Sequence, residues 1–201
     1  QTFKIKVIKN TPHGSGLGGG SSNAANLLNF FNSKMKLKLN KKELVRLARQ
    51  IGFDVPVNLE RYNTLLTGKK NEMIRFKKKF GLNLLIVYPN LICSTKKIYQ
   101  ANKKIGLSRL PPISYIKDSK KLIHILKNEN NDLEKTVIKI YPKVKKIIDS
   151  INSQKGCYFS RITGSGSACI GIFSNMKNAA YAKKLIKLKY PKYWSVVSKT
   201  I

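Results

Sequence analysis

Acidic residues are scarce. Nine Asp and Glu stand against 40 Lys and Arg in 201 residues, a formal charge of +31. Arginine is scarce as well: only Arg46, Arg49, Arg61, Arg75, Arg109 and Arg161, which leaves 34 of the 40 as Lys. Arginine reads phosphates and base edges with a rigid fork, whereas lysine is a solvated point charge. The lysines are spread along the whole chain among Asn and Ile, without arginine-aromatic interleaving. That argues against a dedicated nucleic-acid face and leaves a solvated surface able to attract anionic substrates. Cysteine is limited to Cys93, Cys157 and Cys169, with no CxxC pair. An odd count without metal spacing points to reduced thiols in a cytosol-like compartment. Cys157 and Cys169 lie in apolar strand-like runs and read as core residues. No His/Cys/Asp cluster has metal-ligand spacing. No run approaches the roughly 18–20 apolar residues of a membrane helix. The first ten residues, QTFKIKVIKN, alternate rather than forming the apolar block of a secretory signal.

What is present is apolar patterning, at 42% hydrophobic residues, in periodic runs that exclude disorder. Residues 2–8 alternate and predict a half-buried strand. A loop with five Gly in seven positions follows, HGSGLGGGSS, and then helical spacing from Ala24 to Phe31. Ser21 or Ser22 is expected to cap that helix. A second helix is expected from Asn40, with Glu43 completing a capping box and Gly52 ending it. Pro56 biases Val55 toward an extended backbone. From about residue 80 the rhythm changes. Strands are expected at 83–88, 157–162, 168–173 and 194–198, and helices at 94–104, 117–128 and 176–189. A loop holds Pro111-Pro112, and one long helix over 133–151 is kinked at Pro142. The order is that of a ferredoxin-like βαββαβ layer with an extra helix in the first crossover. The chain thus reads as α+β in one or two domains, with any boundary near residue 80 (1–80 and 81–201).

Strand, glycine-rich loop and helix start make an anion site, because bare N–H groups and the helix dipole both favour negative charge. A tight turn would need only one or two of these glycines. Gly14-x-Gly16-x-x-Gly19 matches the dinucleotide fingerprint, but the first acidic residue downstream is Glu43, in a second helix and badly placed to hold a ribose. A P-loop is excluded because no Lys-Ser or Lys-Thr follows the last Gly.

The run from Pro12 to Ala25, PHGSGLGGGSSNAA, resembles the phosphate-binding motif of the GHMP kinase family. Gly52-Phe53-Asp54-Val55-Pro56 resembles the family's GADVP, with Phe53 in place of the usual Ala. Asn131-Asp132-Leu133-Glu134 matches its NDLE, and Thr163–Cys169 resembles its second glycine loop. The GGGSSNA ending is most similar to the branch that phosphorylates a cytidine diphosphate ester of methylerythritol in isoprenoid-precursor synthesis. The resemblance implies a two-domain GHMP-kinase-like fold and a small-molecule kinase using ATP and Mg²⁺ in a bacterial-type cytoplasm, with neither nucleic acid nor membrane as partner. It implies that Pro12, His13, Gly14, Ser15, Gly16, Leu17, Gly18, Gly19, Gly20, Ser21 and Ser22 cradle ATP. Ser21 or Ser22 would reach Mg²⁺, and Asp54 would serve as the catalytic base. Thr95, Tyr99, Gly164, Ser165 and Gly166 would bind substrate, the Tyr99 ring stacking on cytosine. His13 and His124 are expected to be a surface-loop and a helix residue. The family carries a Lys, an Asn and a Tyr-His pair before the glycine loop, so the chain is expected to be N-terminally incomplete and weak alone. The alternatives are a GHMP kinase for mevalonate, homoserine or a sugar, and, on charge alone, an RNA-binding module.

Overall fold

The computed structural model describes residues 2–67, 72–102 and 115–200. They fall into two compact units. One comprises residues 18–82, 115–124 and 199–200; the other comprises 2–17, 83–102 and 125–198.

In the first unit, helix α1 (Gly19–Lys34) packs on α2 (Lys41–Ile51) and on a 3₁₀ turn, Pro56–Leu59. α2 begins as its sequence demands. The Asn40 side chain accepts from Lys42 N at 2.9 Å and Glu43 N at 3.1 Å, and Glu43 Oε2 accepts from Asn40 N at 2.7 Å. Gly52 ends it. Ala25, Ala48 and Val55 are buried together, with Ala24, Leu28 and Leu59 against them. Small residues dominate because helix and turn approach closely. Two further strands, β1 (Asn63–Thr67) and β2 (Glu72–Phe76), pair antiparallel with Leu65 opposite Ile74.

In the second unit, β3 (Asn83–Tyr88), β4 (Cys157–Ile162), β5 (Cys169–Phe173) and β6 (Trp194–Lys199) form one sheet in the order β4-β5-β3-β6. Numbered along the chain this is 2-3-1-4, the ferredoxin-like order expected from the sequence. α6 (Lys143–Asn152) packs on β4 and β5, and α7 (Met176–Lys189) on β3 and β5. α6 buries Val144, Ile147, Ile148 and Ile151, a stripe at helical spacing. They meet Leu85, Val87, Ile162 and Phe173 of the sheet in the main core. α5 (Glu134–Ile140) and α3 (Thr95–Ala101) complete the layer, and α4 spans Ser119–Asn128.

Several local expectations need correction. Residues 2–8 are not a strand, and Phe3, Ile5 and Val7 are half exposed. Neither sheet gives that segment a ladder, and alternation alone cannot supply one. The helix expected over 133–151 is two, because Tyr141 leaves the helical conformation (φ −130°, ψ 74°) and Pro142 lacks the N–H to continue the ladder. Val55 is not extended but helical (φ −65°, ψ −44°), since burial of its side chain overrides the pre-proline preference. Residues 103–104 of the helix expected at 94–104, and the Pro111-Pro112 loop, lie outside the described residues.

Candidate active site

The first half of the glycine loop is fixed by the second unit. Ser15 is buried; its hydroxyl donates to Pro12 O at 2.9 Å, and its carbonyl accepts from Ala168 N at 2.9 Å. Gly16 has φ +80°, and a Cβ there would lie 2.6 Å from Thr163 O and 2.8 Å from Gly166 O. Only glycine fits such a backbone-to-backbone approach. Thr163 Oγ1 donates to Gly16 O at 3.4 Å, so the two glycine loops brace each other. His13 is exposed, and its carbonyl accepts from Tyr88 OH at 3.4 Å.

The second half starts α1. The N-cap is Gly18 (φ 69°) with no side-chain cap, so Ser21 and Ser22 are not the capping residues expected but sit inside the first turn. Ser22 N reaches Gly18 O at 2.9 Å, while the N–H groups before it have no intrahelical partner by the geometry of any helix start. An added Cβ on Gly20 would meet nothing, and its φ is not positive. Folding therefore does not demand glycine there. This helix start fits an anion, and no acidic side chain opposes one in the first turn. The Ser22 carbonyl and hydroxyl accept from Asn26 Nδ2 at 2.8 and 3.5 Å.

Asp54 stands exposed on the turn after α2. Its main chain is held firmly. Val55 N donates to Gly52 O at 3.2 Å, and Asn58 Nδ2 donates to Asp54 O at 2.8 Å. Val55 is buried with Ala25 of α1, so the helix that opens with the glycine loop also carries the Asp54 turn. Asn29 Nδ2 donates to Leu59 O at 2.9 Å and fastens the far end. Arg75 on β2 donates to Pro56 O at 2.8 Å and Val57 O at 3.2 Å, and its Nε lies 3.5 Å from Glu60 Oε1. Phe53, beside Asp54, is 79% exposed.

The expected substrate residues come together in the second unit. Thr95 Oγ1 and Ser165 Oγ lie 2.9 Å apart, one hydroxyl donating to the other. Tyr99 is exposed, one turn along α3, and lines a cavity of about 390 Å³ with Asn102, Asn131, Asp132 and Gly164. Ser167 donates to Leu91 O beneath the loop. Burial pushes the Cys93 thiol up, against a hydrogen bond with Ser167 that lowers it. Burial pushes Cys157 up to about 11 and Cys169 further still, so these thiols are core groups, as their strand positions suggested.

One contributor escapes a reading of the sequence, and two are only partly legible in it. Arg75 carries no motif. Asn131 and Glu134 do lie in one, but their hydrogen bonds reach about 30 residues along the chain: Asn131 Nδ2 to Gly164 O at 2.8 Å, and Ile162 N to Glu134 Oε2 at 2.8 Å. The NDLE match flags these residues but not their distant partners.

The sequence matches the GHMP kinases N terminal domain over residues 1–59 and the GHMP kinases C terminal domain over 115–191. It is 36% identical to 4-diphosphocytidyl-2-C-methyl-D-erythritol kinase of Pelagibacter ubique, over 99% of this chain and 69% of that protein. It is 36% identical to the enzyme of that name from Chloroherpeton thalassium, over 94% and 67%. The Wolbachia enzyme of Brugia malayi gives 32%, over 94% and 65%. The chain thus spans about two thirds of the length of these relatives. In fold it is similar to a crystal structure of 4-(cytidine 5'-diphospho)-2C-methyl-D-erythritol kinase (TM-score 0.72, 24% identity, 94% of this chain and 68% of that one). It is also similar to homoserine kinase from Cytophaga hutchinsonii (TM-score 0.70, 15% identity, 96% and 68%).

Proposed function

This chain belongs to the GHMP kinase family, and on that footing we propose that the protein transfers the γ-phosphoryl group of ATP to the 2-hydroxyl of 4-diphosphocytidyl-2-C-methyl-D-erythritol. The observation that carries the proposal is the paired glycine loops, one opening the uncapped α1 and the other meeting Thr95, in a chain whose relatives bear that enzyme's name. Phosphoryl transfer asks for positioning and charge neutralisation more than covalent help. The α1 start offers main-chain N–H groups to the phosphates, and Gly18 and Gly20 leave room for them. Ser21 or Ser22 would supply the hydroxyl oxygen that holds a nucleotide-bound Mg²⁺, which would add further charge neutralisation. Asp54, exposed on a fixed main chain, accepts the proton of the acceptor hydroxyl or orients that hydroxyl. Tyr99 offers a flat face to cytosine, and Gly164, Ser165 and Gly166 approach the diphosphate ester closely. Three free cysteines fit a reducing, cytoplasmic setting. No described helix is long and apolar enough to cross a membrane.

The test is Asp54→Asn in the full-length protein. ADP release with the cytidine diphosphate ester is expected to fall by about 10²–10⁴-fold. Nucleotide binding, followed by calorimetry, is expected to persist. Near-normal turnover in the variant overturns the role of Asp54. Preference for homoserine, mevalonate or a sugar over the ester, in the wild type, overturns the substrate.

A further inference from the structure

We propose that Asn131 is a positioning residue for phosphoryl transfer, acting through the main chain of the Thr163–Ser167 loop; this rests on the kinase reading above. The loop is the meeting point of the second unit. Its Thr163 hydroxyl donates to Gly16 O at 3.4 Å, and Ala168, just past it, donates from its N–H to Ser15 O at 2.9 Å. Ser165 lies 2.9 Å from the Thr95 hydroxyl. Within the loop, Thr163 N donates to Ala168 O at 2.9 Å and Gly166 N to Thr163 O at 3.0 Å. A displacement of this loop therefore moves the phosphate loop and the start of α3 together.

What holds the loop from behind is the turn Asn131–Glu134. A side-chain amide can accept through its oxygen and donate through its nitrogen while staying uncharged. Asn131 uses both ends. Its Oδ1 accepts from Leu133 N at 3.0 Å, which shapes its own turn. Its Nδ2 donates to Gly164 O at 2.8 Å and to Ile162 O at 3.4 Å, which reaches the loop. Glu134 Oε2 takes the Ile162 N–H at 2.8 Å. Ile162, the last residue of β4, is thus gripped by Asn131 at its carbonyl and by Glu134 at its N–H. The loop begins from a fixed peptide, and Gly164 is then fixed one step further on. Gly164 has φ +54°, and a Cβ there would lie 3.2 Å from Gly16 O, so the clearance that Asn131 maintains is narrow. Arg161, stacked on Phe159 at 4.3 Å, donates to the Leu126 and Glu129 carbonyls and steadies the same strand end.

The two ends of Asn131 can be separated. Asn131→Asp keeps the acceptor for Leu133 N and loses both donations to the loop; Asn131→Ala loses everything. Initial rates are measured in full-length protein against both ATP and the cytidine diphosphate ester, alongside thermal melting and nucleotide binding without ester. A misplacement near 1 Å at a transfer site lowers rate by up to about 10²-fold. We therefore expect Asn131→Asp to melt close to the wild type while kcat/KM for the ester falls about 10–100-fold and its KM rises. Wild-type kinetics in Asn131→Asp overturn the proposal and make Asn131 a turn former only. A drop in kcat proportional to the folded fraction, with both KM values unchanged, overturns it equally. If Asn131→Ala fails to fold, Asn131→Asp still decides, because its turn is intact. A wild type that binds ATP but does not phosphorylate the ester overturns the kinase reading first, and this proposal with it.

Discussion

On the proposed reading glycine serves two separate ends in the first glycine loop, and single substitutions tell them apart. At Gly16 the fold requires it, for a Cβ would drive into two carbonyl oxygens. At Gly20 the fold does not, because the position is helical and faces open space. Gly20→Ala is expected to leave the melting temperature unchanged or raise it, since Ala is favoured over Gly in a helix by up to about 1 kcal/mol. Nucleotide affinity is expected to fall at least about tenfold, as a methyl group enters the phosphate's approach. Calorimetry and thermal melting on the same preparation check both halves. The cysteines make a second case. Cys157 is raised by burial from about 9 to about 11, so its protonated form is favoured in the fold. Because the folded value lies above the unfolded one, the stability this thiol contributes is full below about pH 9 and is lost as pH rises toward about 11. Site-resolved alkylation of native protein is expected to be slow at pH 8 and to accelerate about tenfold per pH unit until about 11. Fast labelling at pH 8 contradicts this burial.

Elements were legible where a local signal and a tertiary partner agreed. Met176–Lys189 shows a helical stripe and packs on the sheet, and its bounds match the expectation at both ends. Asn83–Tyr88 is a short apolar run in the middle of the sheet. Asn40 and Glu43 encode their cap within four residues. Elements were misread where the partner decides. Phe3, Ile5 and Val7 alternate yet join no ladder, while Asn63–Thr67 and Glu72–Phe76 pair despite weak patterns and went unread. The site divides the same way. The motifs that nominate the glycine loops and Asp54 as site candidates are local, but the Thr95–Ser165 contact spans 70 residues and no local pattern records it. Packing between α6 and β5 offers an element-scale test. A Cβ on Gly171 would lie 2.4 Å from Ile151 Cγ2 and 2.9 Å from Phe173 Cε2. Gly171→Ala is expected to cost about 1–3 kcal/mol in denaturant unfolding. Adding Ile151→Ala should cost less than the two single changes summed, as the collision disappears. Strict additivity would mean that α6 has room to shift.

At the scale of the molecule, charge and topology matter most. If the chain meets ATP and a diphosphate ester as proposed, a net +31 makes encounter favourable at low salt. Raising salt from about 0.05 to about 0.5 M shortens screening from roughly 14 Å to roughly 4 Å. KM for both anionic substrates is expected to rise several-fold in steady-state assays, with kcat changing less. An unchanged KM would leave the lysines without influence on substrate capture. Topology acts on time rather than affinity. Gly16 and Thr163 meet across 147 residues of chain, so the phosphate loop cannot be braced until its distant partner exists. At ribosomal speeds of about 5–20 residues per second, Gly16 waits roughly 7–30 s for that partner. Throughout that interval the nascent chain carries the glycine-rich segment without the loop that braces it. A premature stop anywhere before residue 163 therefore removes more than the last strands, for it leaves the start of the phosphate loop unbraced from birth.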